Sequence, residues 1–248
     1  MNSALKFLRE NCGVLTRKWI PYEPVLIPLA GIFAETSKLT GLQSGHRLEV
    51  LKRWFWSTSL GARYDQGAIA KAAEDFRQLL VEINGGEPTT ATLNFNQSEL
   101  MSRLDTTTNG AVYKAVMCLL VTQNPIDFLK REPITFELIG TNKIDDHHIF
   151  PKAFLDKKHP KHDSRDSILN RTLIDAKSNK ELGATSPSQY FGSISYTQSD
   201  AKIRLLMESH NIPYGPMSGI SADNFELFIT KRKELIGHLV SQATSLDD

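Results

Sequence analysis

The chain has 248 residues, 40% hydrophobic and 23% charged, enough for one large or two modest domains with an apolar core. Lys and Arg number 29 against 28 acidic residues, which excludes the chain-wide basic field common among nucleic-acid binders; any phosphate contact must be local. No apolar run approaches the ~20 residues that span a bilayer, and the two cysteines, Cys12 and Cys118, lie too far apart in sequence to suggest a disulfide framework. With no secretory pattern at the N-terminus, a cytoplasmic protein with no membrane partner is the expectation.

Residues 1 to 130 read as a helical bundle. "SALKFLREN" offers Ser3 as an N-cap, and "EPVLIPLAGIFAETSKL" places Pro24 and Pro28 where early helical positions tolerate them. "HRLEVLKRWFWSTSL", "QGAIAKAAEDFRQLLVEI" and "AVYKAVMCLLVTQ" repeat apolar residues at helical spacing, each ending at Gly, Asn or Pro. "GGEPTTATLNF", residues 85 to 95, is turn-rich and reads as a loop. Trp54, Phe55 and Trp56 could stack bases, but consecutive helical residues face different directions, so packing is preferred. For Arg63 and Tyr64, a local structural role is likewise preferred over nucleic-acid contact.

At residue 131 the pattern changes. "REPITFELIGTNK", to residue 143, carries β-branched and aromatic residues and reads as a strand. "KIDDHHIFPKAF" follows, where an Asp and a Pro would suffice for a turn but paired imidazoles would be superfluous. Pro151 lies three residues after His148, Asn170 follows His148 by 22, and Asn179 follows Asn170 by nine. "RTLID" reads as a strand and "AKSNKELG" as a helix closed by Gly183. "QSDAKIRLLMESH" and "SADNFELFITKRKELIGHLVSQA" return to helix, with "KRKELIGHL" read as a solvated basic face.

These residues, "HHIFP", "LNRTLID" and "SNKELG", resemble the His-Asn-His (HNH) endonucleases with a ββα-metal fold. "DHHIFPKAFL" with "NRTLI" and "SNKELGATSPSQYF" is most similar to the C-terminal nuclease domain of GmrSD-type modification-dependent restriction proteins. The resemblance covers residues 143 to 192. It implies a mainly helical α+β chain with a helical region (1–130), a small ββα-metal element (131–192) and C-terminal helices (193–248) packing on both.

It also implies a metal-dependent DNA endonuclease acting in anti-phage restriction, the effector partner of a nucleotide-hydrolysing sensor that is attached or separate. No G-x-x-x-x-G-K-[ST] phosphate loop occurs here. By the match, His148 is the general base, a role suited to an imidazole near neutral pH. Asn170 completes the catalytic set by supporting the loop between the strands. His147 and Asn179 are metal ligands; Asp145 and Asp146 could each supply an oxygen ligand or orient a histidine, and Asp146 reads equally as an N-cap or turn residue.

The ion is expected to be Mg²⁺ or Mn²⁺. Many relatives carry an acid where this chain has His147, and a nitrogen ligand admits Ni²⁺ or Zn²⁺ as well. From 152 to 180 eight basic residues face four acidic ones, which marks Lys152, Lys158, Lys161, Arg171 and Lys180 as candidate DNA contacts. Two other readings stand beside this one: a catalytically silent binding or interaction module on the same scaffold, and a zinc site that adds His159 and His162.

Overall fold

A computed structural model describes residues 1–105, 110–135, 144–158 and 163–246. The chain is mainly helical with one two-stranded antiparallel sheet, and its residues fall into two compact units.

The described residues of the first unit lie within Met1–Leu100, Asn109–Cys118 and Leu239–Asp248. Its helices are α1 (Asn2–Cys12), α2 (Leu26–Glu35), α3 (Gly41–Leu60), α4 (Ala68–Ile83) and α5 (Thr90–Leu93); α6 (Gln97–Arg103) begins in it, and α7 (Ala111–Val121) contributes most of its length. Helix α1 starts one residue ahead of Ser3, so Ser3 lies inside the first turn rather than capping it. The chain leaves α1 at Gly13, whose φ of 60° is the left-handed conformation glycine adopts without a Cβ clash. A short helix, α5, forms where the turn-rich composition of 85–95 reads as loop. The Thr89 hydroxyl caps it by accepting from Thr92 N, a signal that the run of threonines obscures.

The apolar faces of α1 to α4 bury Phe7, Leu29, Ile32, Leu51 and Leu79. All of Trp54, Phe55 and Trp56 are buried as well, none more than 4% exposed. The ring of Trp54 is fixed at its polar end: Nε1 donates to Asp75 at 3.0 Å, and the same carboxylate accepts from the Tyr64 hydroxyl at 2.7 Å and from Arg63 Nε at 2.9 Å. A fully buried acid thus gains a cation and two neutral donors, which is what keeps it from costing the unit its stability. "GARYD" owes its Arg and Tyr to this knot.

The described residues of the second unit lie within Met101–Thr108 and Leu119–His238. Strand β1 (Ile144–His148) pairs antiparallel with β2 (Arg171–Asp175), placing His147 opposite Thr172 and His148 opposite Arg171. Between them lies α8 (Lys152–Lys158); after them come α9 (Ala176–Leu182), α10 (Pro187–Tyr196), α11 (Asp200–Ser209) and α12 (Phe225–Thr244), whose last residues belong to the first unit. Most of the strand expected over 131–143 lies outside the described residues; of its start, Pro133 forms an isolated bridge with Ile126.

An aromatic core sits against the sheet. The Phe150 ring lies 5.3 Å from that of Phe225 and 4.9 Å from that of Phe228, and Phe128 lies 5.2 Å from Phe191. "KRKELIGHL" is not wholly a solvated face: Arg232 is fully buried in α12, where Nη2 donates to the backbone carbonyls of Arg171 at 2.9 Å and His210 at 3.1 Å. Helical spacing from Phe225 and Phe228 turns Arg232 inward with them.

Candidate functional site

The pleat of β1 sorts its side chains by parity. Asp145 and His147 meet Asn179 on one side, whereas Asp146 and His148 meet Arg171 and Asp166 on the other. The register runs through all five pairs without a bulge, so the two histidines stay on opposite faces.

On the first face, Asn179 projects from α9. This helix is short because it is strictly bounded: Asp175 caps its start by accepting from Lys177 N at 2.8 Å, and Gly183, with φ 53°, ends it. The Asn179 amide is held by both neighbours. Its Nδ2 donates to Asp145 Oδ2 at 3.1 Å, which turns Oδ1 toward His147 Nδ1, 2.8 Å away. His147 therefore carries its proton on Nδ1. Its Nε2 is buried without a hydrogen-bond partner among the described residues, and the imidazole packs edge-on with the rings of Phe128 and Tyr190, 5.8 and 6.2 Å away. Burial holds the ring neutral by lowering its pKa to about 4.

On the second face, Asp166 gathers three cations or donors: His148 Nε2 at 3.0 Å, Arg171 Nη2 at 3.0 Å and Lys152 Nζ at 2.7 Å. Burial alone would raise the pKa of this carboxyl, but hydrogen bonds from Lys152 and His148 outweigh it and bring it to about 2. An ionised carboxylate only accepts, so His148 donates through Nε2–H and bears its lone pair on Nδ1. Burial first, and then the Arg171 charge, lower the His148 pKa, so the ring is neutral at physiological pH.

Behind the strands the site is anchored by residues far apart in sequence. Asn170 is fully buried; its Oδ1 accepts from Phe150 N at 2.8 Å, while Nδ2 donates to the carbonyls of Phe150 and Arg165, each at 2.9 Å. Asp127 accepts from Asp175 N at 2.7 Å and from Ser178 Oγ at 2.6 Å, tying the start of α9 to the 127–130 turn. His210 is fully buried behind β2. Its Nε2 donates to Ile126 O and its Nδ1 accepts from the Thr172 hydroxyl, both at 2.7 Å.

The sequence-derived candidates are distributed as follows. His147 and Asn179 come together, and Asp145 rather than Asp146 joins them; Asp146 pairs with Arg171 instead. His148 meets Asp166, a residue that the sequence reading did not single out. Asn170 sits behind the site as a clamp on backbone. Lys152 and Arg171 are engaged by Asp166, Lys180 is exposed on α9, and Lys158 ends α8. Lys161, His159 and His162 lie outside the described residues. No group of three or more His, Cys, Asp or Glu that could hold a metal ion occurs among the described residues, and none of their helices is long and apolar enough to cross a membrane.

No protein-family model matches the chain, and no solved structure does. The chain is similar to the uncharacterized protein MJ0686 of Methanocaldococcus jannaschii, at 27% identity over 179 residues. The matched region is 70% of this chain and 29% of that relative, so the chain spans less than a third of the archaeal protein's length.

Proposed function

We propose that the chain is a metal-dependent DNA endonuclease of the HNH type, the cutting part of an anti-phage restriction system. One observation carries this reading: two antiparallel strands and a capped helix bring His147 Nδ1 and Asn179 Oδ1 to 2.8 Å, while the adjacent His148 is held by Asp166 through Nε2.

The first face fits a divalent ion. The His147 Nδ1 and the Asn179 Oδ1 converge with Asp145 beside them, and transfer of the ring proton from Nδ1 to Nε2, which has no hydrogen-bond partner among the described residues, would free Nδ1 for the ion. His147 and Asn179 would hold the ion, with Asp145 fixing the amide or adding an oxygen. This mixed N,O set suits Mn²⁺, Ni²⁺ or Zn²⁺ as well as Mg²⁺. The ion's contribution would be to neutralise charge on the phosphate and on the leaving 3′ oxygen.

The chain's own part is proton transfer and placement. A twist at the end of β1, where His148 is the last residue, would bring its Nδ1 to the same phosphate as His147; there Nδ1 takes a proton from water, and the resulting hydroxide attacks phosphorus in line. Lys152, Lys158, Lys161, Arg171 and Lys180 are the proposed backbone contacts, with Arg171 and Lys152 also holding Asp166 in place. A nucleotide-hydrolysing sensor, attached or separate, would direct the cutting.

Cleavage of supercoiled plasmid in chelator, Mg²⁺, Mn²⁺ and Ni²⁺ tests the reading, with His148→Ala beside the parent protein. Nicked or linear product that requires metal and disappears with the substitution supports it. The direct His147–Asn179 hydrogen bond, in which the two proposed ligands satisfy each other, favours a second reading as a silent nucleic-acid-binding module. Plasmid binding without turnover in any metal would establish that module in place of the nuclease.

A further inference from the structure

We infer that Asp166 is the positioning residue for His148: it selects the Nε2–H tautomer and aims Nδ1 as the proton acceptor. The inference rests on the nuclease reading for the use of that nitrogen, but the tautomer itself is a property of the metal-free chain.

Three features of Asp166 support the assignment. Its Oδ1 is 3.0 Å from His148 Nε2, a hydrogen bond that spans 18 residues and joins the loop ahead of β2 to the end of β1. Its Oδ2 is 2.7 Å from Lys152 Nζ, and Arg171 Nη2 lies 3.0 Å from Oδ1, so the carboxylate is held from two further directions and cannot swing away without losing both. No backbone carbonyl or other side chain among the described residues takes His148 Nε2–H, which leaves the ring orientation to this one acceptor.

The arrangement also explains the cations. Lys152 and Arg171, proposed above as phosphate contacts, each also pair with Asp166. Their positive charge keeps the carboxylate ionised, and an ionised carboxylate is an acceptor only. A protonated or amide side chain at this place could donate to Nε2 and turn the imidazole into its unreactive tautomer. An acceptor that orients a working imidazole through its far nitrogen is a common requirement of such chemistry.

The test uses the full chain with ¹⁵N-labelled histidine, free of metal, at pH 7.5, with His148→Ala assigning the His148 signals. The expected spectrum has His148 protonated on Nε2 and bare on Nδ1 in the parent, and a mixture of tautomers in Asp166→Ala. In Mn²⁺, Asp166→Ala should lower kcat for plasmid nicking roughly 10- to 100-fold with KM unchanged, and Asp166→Glu should recover part of it. Should Asp166→Ala not fold, Asp166→Asn has the same shape, and its amide should also shift the tautomer balance. A parent His148 protonated on Nδ1, an unchanged tautomer in the variants, or an unchanged kcat would each overturn the inference. A tautomer that depends on Asp166 in a parent protein that no metal enables to cut would uphold the positioning role and overturn the nuclease reading.

Discussion

Asn170 and Phe150 exchange a pair of hydrogen bonds, Phe150 N to Oδ1 at 2.8 Å and Nδ2 to Phe150 O at 2.9 Å, so one amide side chain reproduces a backbone ladder rung just beyond β1. Asn170→Asp keeps the volume but turns the donor end into an acceptor facing the carbonyls of Phe150 and Arg165. Such a substitution should cost about 2–4 kcal/mol, combining lost bonds with a buried unpaired charge. Urea unfolding would register it as a lower midpoint with an unchanged slope, and an unaltered midpoint would show that the clamp is dispensable.

Asp127 offers a second test of how α9 is held. Its carboxylate accepts from Leu129 N, Lys130 N and Ser178 Oγ through one oxygen and from Asp175 N through the other. In Asp127→Asn one oxygen becomes an NH₂ that meets an N–H. A loss of about 1–3 kcal/mol is expected, with amide exchange across 175–179 accelerating more than exchange in the first unit. Uniform acceleration would mean that the residue supports the whole chain.

The buried histidines make stability depend on pH. Burial lowers His210 to about 4, below its unfolded value of about 6.5, so the unfolded chain binds a proton that the folded chain refuses. The resulting stability is fully present above about 6.5 and is lost as the pH falls toward 4, at up to about 1.4 kcal/mol per pH unit. His147, depressed by burial to the same degree, adds a parallel term. Denaturant midpoints from pH 7 to 4.5 measure the slope, which should be shallower in His210→Asn. Parallel slopes in the two proteins would exclude His210 as a source.

If the proposed nuclease holds its ion through His147, metal choice should follow the donor at 147. His147→Asp replaces an imidazole nitrogen by a carboxylate oxygen, which favours the harder ion. The ratio of plasmid cleavage in Mg²⁺ to that in Mn²⁺ is expected to rise several-fold over the parent. An unchanged ratio would remove His147 from the metal ligands.

The legible parts of this chain were those written locally. "RTLID" became β2 residue for residue, and the helix after it started at the Asp175 cap and stopped at Gly183, because period, cap and stop all lie within a dozen residues. Helix α10 had the same kind of signal, Ser186 followed by Pro187, but its Ser-rich run hid the period. The site's supports were not legible. Asp127 reaches Ser178 across 51 residues, His210 reaches Thr172 across 38, and nothing in "NPIDFLK" or "MESHNI" announces a partner. The choice between Asp145 and Asp146 turned on strand parity, which depends on where β1 begins. Arg232 was misread because a run of charges suggests solvent, whereas the phase of the helix, set by Phe225 and Phe228, decides which one is buried.

The alternation along β1 also divides the energetics. Substitutions at 145 and 147 share Asn179, and those at 146 and 148 share Arg171 and Asp166, so pairs of changes within a face should be coupled while pairs across the strand add. Substitutions at 145 and 147 should therefore leave the hydrogen bond between His148 and Asp166 in place. A single inserted residue ahead of Ile144 that shifted the pairing would have the opposite effect: it would move His147 into the place of His148 beside Asp166 and put Asp146 in the buried place against Phe128 and Tyr190.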